Sequence, residues 1–325
     1  MHPLIRIAAA LAALTLSAHS LAQAYPSRPV RMLVPYSAGG PTDLLARALA
    51  PRMSESMGQP VVVENRLGAG GSIAMDAIAK GAADGYLIGI GLTGTHTINP
   101  HLYTKLPYDP LKDFTPITPI VSYVNMLIVG QALPVNSVAE LVAYAKANPN
   151  KVAYASGGKG ASNHLSGELL RVVTGAPMVH VPYKGNAPAL TDVIAGNATF
   201  MFDILTTALP QVRAGKVRAL AVTSAKRSQY APDVPTMQEA GIAGYAEGGS
   251  DLWMGIFAPP ATPKAIADRL HAEIVKAMNS PELAERVRAL AYDVWTLAPE
   301  EFAAHVRSDH AKWGRVVKAA GITPE

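Results

Sequence analysis

Val34-Pro35-Tyr36-Ser37-Ala38-Gly39-Gly40-Pro41-Thr42-Asp43 is the stretch that decides how this chain folds. The apolar run in front of it, residues 30–34, has strand character and is closed by a proline. Behind it, Leu44, Leu45, Ala48, Leu49 and Met53 recur at helical spacing, and Gly58 stands where a helix C-cap glycine belongs. Strand, glycine turn and Pro41 at the first helical position together describe a βα turn. Such a turn aims the unpaired N–H groups of a helix N-terminus beyond the end of the strand, which makes an anion site. The pattern returns at Val181-Pro182-Tyr183-Lys184-Gly185-Asn186-Ala187-Pro188, which leads into Leu190, Val193 and Ile194 and closes on Gly196. Two apolar strands, each ending Val-Pro-Tyr and each followed by a helix start, predict two α/β lobes that face one ligand.

Residues 1–24 have the pattern of a secretory leader. Arg6 gives a weakly positive start, residues 7–16 are the apolar core, and Ala22-Gln23-Ala24 is a small-x-small cleavage site. An apolar core of about ten residues is too short to span a bilayer. The 325 residues are enough for about two domains. The chain has no cysteine, which excludes disulfides, thiolate zinc sites, a cysteine nucleophile and a lipidated N-terminal cysteine. The uncharged stretch at 115–139 contains prolines, Asn125 and Gln131, and fits paired strands better than a lipid-facing helix. A chain exported without a lipid anchor or membrane helix is expected to work in the periplasm. The pI of about 9.1 does not signal nucleic acid binding. Charged residues are only 16% of the chain, and no basic run is interleaved with aromatics.

Past the first turn, residues 60–64 and 86–92 read as strands and 69–83 as a helix. Thr93-Gly94-Thr95-His96 is then a polar loop at a strand's carboxyl end. This alternation argues for a mainly parallel, doubly wound sheet with ligands outside the strand ends. Extended segments at 117–129 follow without a helix and read as a crossing to the second lobe. There, Ser137-Val138-Ala139-Glu140 is a capping box. Residues 152–155 form a strand whose exit is Ser156-Gly157-Gly158-Lys159-Gly160-Ala161-Ser162, and a helical stripe through Leu165, Leu169, Val172 and Val173 comes next. Strands are expected at 199–204 and 217–223, the first with Asp203 at its exit. The return carries a strand at 252–258 and helices at 263–278, 281–290 and 299–320. Residues 123–224 are thus expected to form a lobe inserted into one made of 25–122 and 225–325. Crossings near Ile120 and Ser224 would act as the hinge.

Two motifs fail on context. Gly89-Ile90-Gly91-Leu92-Thr93-Gly94 matches GxGxxG, but Gly89 and Gly91 fall inside the strand and Asn99-Pro100 is expected to interrupt any following helix. Ser156-Gly157-Gly158-Lys159 matches the S-x-x-K of exported serine acyl hydrolases, but the chain has no K-T-G or S-x-N partner, and glycines make the segment a loop. A hydrolase of this kind would lose ester turnover on Ser156→Ala. None of the nine histidines forms a helical i, i+4 pair. His96 and His164 lie in the expected cleft loops, either as ligand contacts or as hydrogen-bonded loop residues. Asp43 in a helix first turn, and Asp203 at a strand exit, can serve structure or ligand. Tyr36 and Tyr183 stand at two facing strand ends, as packing residues or contacts.

Over its whole length the chain resembles the extracytoplasmic solute receptors of tripartite tricarboxylate transporters, the Bug family. The matching segments begin with Pro35–Asp43, Val61-Val62-Val63-Glu64-Asn65-Arg66, Gly68-Ala69-Gly70-Gly71 and Gly94-Thr95-His96. They continue with Ile98-Asn99-Pro100, Leu106-Pro107-Tyr108-Asp109-Pro110, His164-Leu165, Val179-His180-Val181-Pro182-Tyr183-Lys184-Gly185 and Ala219-Leu220-Ala221-Val222-Thr223. The resemblance implies a two-lobed periplasmic binding protein fold, type II-like and α/β, with a small organic carboxylate between the lobes. It implies no enzyme activity, no cofactor and no metal. It also implies a monomer that partners with permease subunits; a sensor is the alternative partner. The ligand would be held by loop N–H groups and ordered water. By resemblance the contacts are Tyr36, Ser37, Ala38, Gly39, Gly40, Asp43, Thr93, Gly94, Thr95 and His96 from the first lobe. Ser156, Gly158, Lys159, Ser162, His164, Tyr183, Lys184, Gly185 and Asp203 come from the second. The chain departs from the family pattern at Gly157 and Ala161, where hydroxyls are common, at Lys159, where Asn is common, and in a longer passage at 245–253. Lys159 is expected to reach a second acidic group of the ligand, the alternative being a solvated surface lysine on its glycine-rich loop.

Overall fold

A computed structural model describes residues 25–149, 151–242, 245, 252–319, 321, 322 and 324. The expected leader and most of the 245–253 passage lie outside the described residues. Each strand divides its side chains between the two faces of its sheet, as the period of two requires. In β1 (Val30–Val34), Val30, Met32 and Val34 pack beneath Leu45, Leu49 and Met53 of α1 (Pro41–Met57). Leu33 turns to the opposite face, against Met75 and Ile78 of α2 (Ser72–Ala79). Pro41 opens α1 where no N–H is needed, and Gly58 ends it at φ 68°, a left-handed geometry that suits glycine. A 3-10 turn, Ala69–Gly71, precedes α2.

The first sheet is completed by β2 (Val61–Asn65), β3 (Leu87–Leu92), β4 (Thr115–Tyr123), β10 (Leu252–Ala258) and β11 (Asp293–Val294), in the order β11-β4-β10-β3-β1-β2. The second contains β5 (Asn125–Gly130), β6 (Ala153–Ser156), β7 (Val179–Pro182), β8 (Phe200–Ile204) and β9 (Val217–Val222), in the order β7-β6-β8-β5-β9. Both sheets are mixed rather than mainly parallel. β1, β2 and β3 run parallel, as do β6, β7 and β8, whereas the strands that carry the chain between lobes (β4, β5 and β10) pair antiparallel. Leu127, Val129, Phe200 and Phe202 fill one face of the second sheet, and Met126, Ile128 and Met201 the other.

The chain crosses between sheets at Val124. On the way back, Met237 and Tyr245 are buried among Leu127, Phe200 and Phe202 of the second sheet, while Gln229 and Tyr230 bond to Asp293 at the edge of the first. The helices of the second lobe are α4 (Val138–Ala147), α5 (Ser162–Thr174), α6 (Asn186–Ala195) and α7 (Leu205–Arg213). Ser137 caps α4 by accepting from the Glu140 N–H at 3.1 Å, and the Glu140 carboxylate accepts from Asn136 N–H at 2.6 Å. The first lobe ends with α8 (Lys264–Met278), α9 (Pro281–Ala289) and α10 (Pro299–Ala319).

Two local expectations change. The helix expected at 69–83 is regular only over α2, after the turn through Gly70 and Gly71. The segment after β3 is helical throughout, as a π turn (Gly94–Ile98) that passes into α3 (Asn99–Leu102). Pro100 falls where the π turn gives way to α3, and the helical run continues past it. Gly89 and Gly91 nevertheless stay inside β3. A Cβ at Gly91 would stand 2.3 Å from the His96 ring, so that glycine serves packing.

Candidate functional site

Between the sheets, strand ends and helix starts surround a small, tightly closed cavity of about 10 Å³. From the first lobe, Tyr36, Pro41, Thr42, Leu92, Gly94 and Tyr123 line it; from the second, Ala161, Ser162, Asn163, Asn186 and Ile204. None of these side chains is charged. The polarity comes from the backbone. Pro41 and Thr42 open α1, Ser162 and Asn163 open α5, Asn186 opens α6, and Ile204 is the N-cap of α7. Four helices of nine residues or more thus direct their N-termini at one cavity from both lobes, each with unpaired N–H groups and the positive end of its dipole.

The side chains add oriented donors. The Ser162 hydroxyl lies 3.3 Å from the Tyr123 hydroxyl and accepts from the Asn125 amide at 3.3 Å. Burial pushes the acidity of Tyr36 and Tyr123 beyond the ordinary tyrosine range, so both remain neutral hydroxyls. Behind the cavity, a relay sets the amides. Thr207 Oγ1 and Asn186 Nδ2 each donate to the Asp203 carboxylate at 2.6 Å, Asn163 Nδ2 donates to Asn186 Oδ1 at 3.1 Å, and Gly157 N–H donates to Asn163 Oδ1 at 3.2 Å. Burial raises the pKa of Asp203 to about 6, against the lowering effect of the bonds from Thr207 and Asn186.

The expected contacts fall into three groups. Tyr36, Gly94 and Ser162 line the cavity. Gly158, Lys159, Tyr183 and Lys184 line a neighbouring crevice of about 250 Å³, which shares Tyr36 with it. The others lie elsewhere. Ala38 and Gly39 are exposed, Gly40 closes the turn onto the Ser37 carbonyl at 3.2 Å, and Gly185 presses against Ser37. Asp43, only 2% exposed, accepts from Gly39 N–H at 2.9 Å, Arg47 Nε at 2.9 Å and Asn65 Nδ2 at 3.0 Å. Burial pushes its pKa up, but these bonds outweigh it and hold the carboxyl below its ordinary range. Since Asn65 also donates to the Tyr36 carbonyl at 2.9 Å, Asp43 shapes the loop that carries Tyr36.

Thr93, Thr95 and His96 are fully buried. The His96 ring stacks on Phe257 at 3.8 Å, and burial lowers its pKa to about 3. His164 Nδ1 accepts from Gly160 N–H at 3.2 Å and its ring rests on His180 outside the cavity. Asp203 acts on the cavity only through Asn186. Ser156 is fully buried and its hydroxyl meets His180 Nε2 at 2.7 Å, which is not the S-x-x-K arrangement. Pro41, Thr42, Ala161, Asn163 and Asn186 were missed by sequence reasoning although their helix starts were legible. They line the cavity from the first helical turns, with Ala161 as the N-cap of α5. Tyr123 and Leu92 had no signal beyond their place at strand ends.

Among the described residues, no helix is long and apolar enough to cross a membrane, and no three His, Asp or Glu side chains are grouped to hold a metal. Two α/β lobes with an anion-suited cavity between them define a periplasmic binding protein fold. Residues 45–322 match the tripartite tricarboxylate transporter family receptor, and the chain belongs to that family. It is similar to the periplasmic binding protein BugD, at 38% identity and a TM-score of 0.88 over 93% of this chain and 100% of that one. A protein of R. palustris solved with adipate matches at 39% identity and a TM-score of 0.88, over 93% and 100% of the two chains. MatC of Rhodopseudomonas palustris with bound malate matches at 33% identity and a TM-score of 0.86, over 90% and 100%.

Proposed function

We propose that this protein is an exported, non-enzymatic receptor that captures a small organic carboxylate between its lobes for a tripartite tricarboxylate-type transporter. The observation that carries this reading is the cavity with no charged side chain onto which four helix N-termini converge from both lobes. A hydrogen bond to a charged group contributes about 1.5–3 kcal/mol, and a helix N-terminus adds roughly 0.3–1. A few such donors reach the roughly 8 kcal/mol of micromolar binding without an arginine clamp. A carboxylate that touches both lobes also has the differential affinity needed to favour the closed state. Relatives solved with adipate and malate support the ligand class. Lys159 and Lys184 in the adjoining crevice support a second acidic group on the ligand.

A thermal-shift screen of carboxylic acids, with adipate and malate included, tests the reading. A ligand at 100 times its dissociation constant stabilises by about 2.7 kcal/mol. Each acid is paired with its monoamide and diamide. Shifts for diacids that fall for monoamides and vanish for diamides are expected. No shift from any acid, or equal shifts from acids and diamides, would refute carboxylate capture.

A further inference from the structure

The loop that follows β6 meets the first lobe a second time, beside the cavity. The Tyr103 hydroxyl donates to the Lys159 carbonyl at 2.8 Å. With its nitrogen turned toward the second lobe, the Asn99 amide donates to the Gly160 carbonyl at 2.9 Å and to the Gly94 carbonyl at 3.2 Å. The backbones themselves touch. A Cβ on Gly70 would stand 1.8 Å from the Lys159 carbonyl oxygen, and one on Gly160 would stand 1.7 Å from the end of the Asn99 amide that faces it. A Cβ on Gly94 would be 3.0 Å from the Gly160 carbonyl, and one on Gly158 would be 3.5 Å from Gly70 Cα. Gly70 and Gly160, one from each lobe, therefore mark a joint that has no room for a side chain, and Gly94 and Gly158 pack beside it.

We propose that this joint is a clasp that holds the lobes together through protein contacts alone, and that Tyr103, on the wall of the crevice, and Asn99 set affinity by seating the loop rather than by lining the anion cavity. The clasped loop runs directly into Ala161, Ser162 and Asn163, which supply the second lobe's donors at the start of α5. The anion cavity is complete only while the loop is seated. A ligand binds the seated fraction, so the observed dissociation constant is the intrinsic one divided by that fraction. Loosening the clasp weakens every ligand by the same factor and leaves the preference among ligands unchanged. That consequence for affinity rests on the carboxylate reading above; the clasp itself does not.

The chain has no cysteine, so labels can be placed at will. Spin labels on Lys80→Cys, after α2, and Lys146→Cys, in α4, report the separation of the lobes by pulsed dipolar spectroscopy with no ligand added. The unsubstituted clasp should give a dominant short-distance population. Tyr103→Phe should lower the closed-to-open ratio about two- to tenfold, the worth of one hydrogen bond. Gly70→Ala should abolish the short population. Because Gly70 and Gly160 have φ of 60° and 83°, alanine at either could disturb its own turn, so Gly94→Ala, whose φ is ordinary and whose Cβ would meet the Gly160 carbonyl at 3.0 Å, wedges the joint without that strain. Circular dichroism melts establish that each variant is folded. If the folded wedge variant or variants and Tyr103→Phe keep the parent distribution, or if the parent lacks a short population, the clasp is overturned. Calorimetry with adipate and malate then compares Tyr103→Phe with the parent, where an equal loss for both acids is expected. If neither acid binds the parent, the carboxylate reading is in question, while the distance result still decides the clasp.

Discussion

Replacing Asp43 by asparagine tests whether this carboxylate shapes the loop rather than the ligand. The substitution can keep one oxygen facing Gly39 N–H and Arg47 Nε, but it then turns an amide NH2 toward the NH2 of Asn65. One bond to a charged acceptor is lost and two donors face each other in a site where Asp43 is only 2% exposed. The lost bond is worth about 1.5–3 kcal/mol. The Arg47 pairing adds at most about 1, because that side chain is 51% exposed and screened by solvent. We therefore expect Asp43→Asn to cost about 2–4 kcal/mol at pH 7, and Arg47→Ala less than about 1. Urea unfolding followed by circular dichroism measures both. The sign with pH is fixed. The folded pKa lies below the ordinary value, so the stabilisation is complete above about pH 4 and fades as pH falls through the folded pKa. The gap between parent and variant should narrow in acid. A cost under about 0.5 kcal/mol, or a gap that widens on acidification, would refute the reasoning.

Three further outcomes follow from buried groups. Asp203 has its folded pKa raised to about 6, so its contribution is complete below about pH 4 and is lost as pH rises toward 6.5, by on the order of 3 kcal/mol. Asp203→Asn should remove that decline from the urea midpoint, and an unchanged pH slope would contradict it. His96, held neutral with its pKa lowered to about 3, acts in the opposite sense, and stability is lost as pH falls from about 6.5. His96→Phe keeps a ring on Phe257 and should flatten this acid limb; equal slopes for parent and variant would show that His96 does not titrate with unfolding. Gly91→Ala should cost about 1–3 kcal/mol in the same assay, since its Cβ would lie 2.3 Å from His96 and 2.5 Å from Phe257. A neutral result there would mean that the ring stack gives way freely.

The parts of the fold that were legible in sequence are those where backbone geometry dictates residue type. Pro41 at a helix start, Gly58, Gly175 and Gly196 in left-handed caps, and Ser137 as an N-cap all fall where the pattern put them. Side-chain direction at a strand end was not legible. Thr93, Thr95 and His96 read as a polar loop, yet the chain turns immediately into a π helix that faces them inward onto Trp253 and Phe257. Period-two and period-3.6 patterns say nothing about such a junction. α7 was also missed, because Pro210 stands within a short helix whose other signals are weak. At the cavity, the helix starts at Pro41 and Asn186 were legible from the two Val-Pro-Tyr turns. Their support was not, because Asp43 and Asp203 act through Asn65 and Asn186 from distant segments.

β10 carries a consequence for the order in which the chain can fold. It lies between β3 and β4 and bonds to both, so the first sheet has a gap at its centre until residues 252–258 arrive. The second sheet draws its strands from one continuous stretch and can close its hydrogen-bond ladders earlier during synthesis or after unfolding. Domains tend to fold as units, and pairings of long sequence separation form slowly. The first lobe should therefore be the late-folding half, with the edges of β3 and β4 open to wrong pairing while it waits.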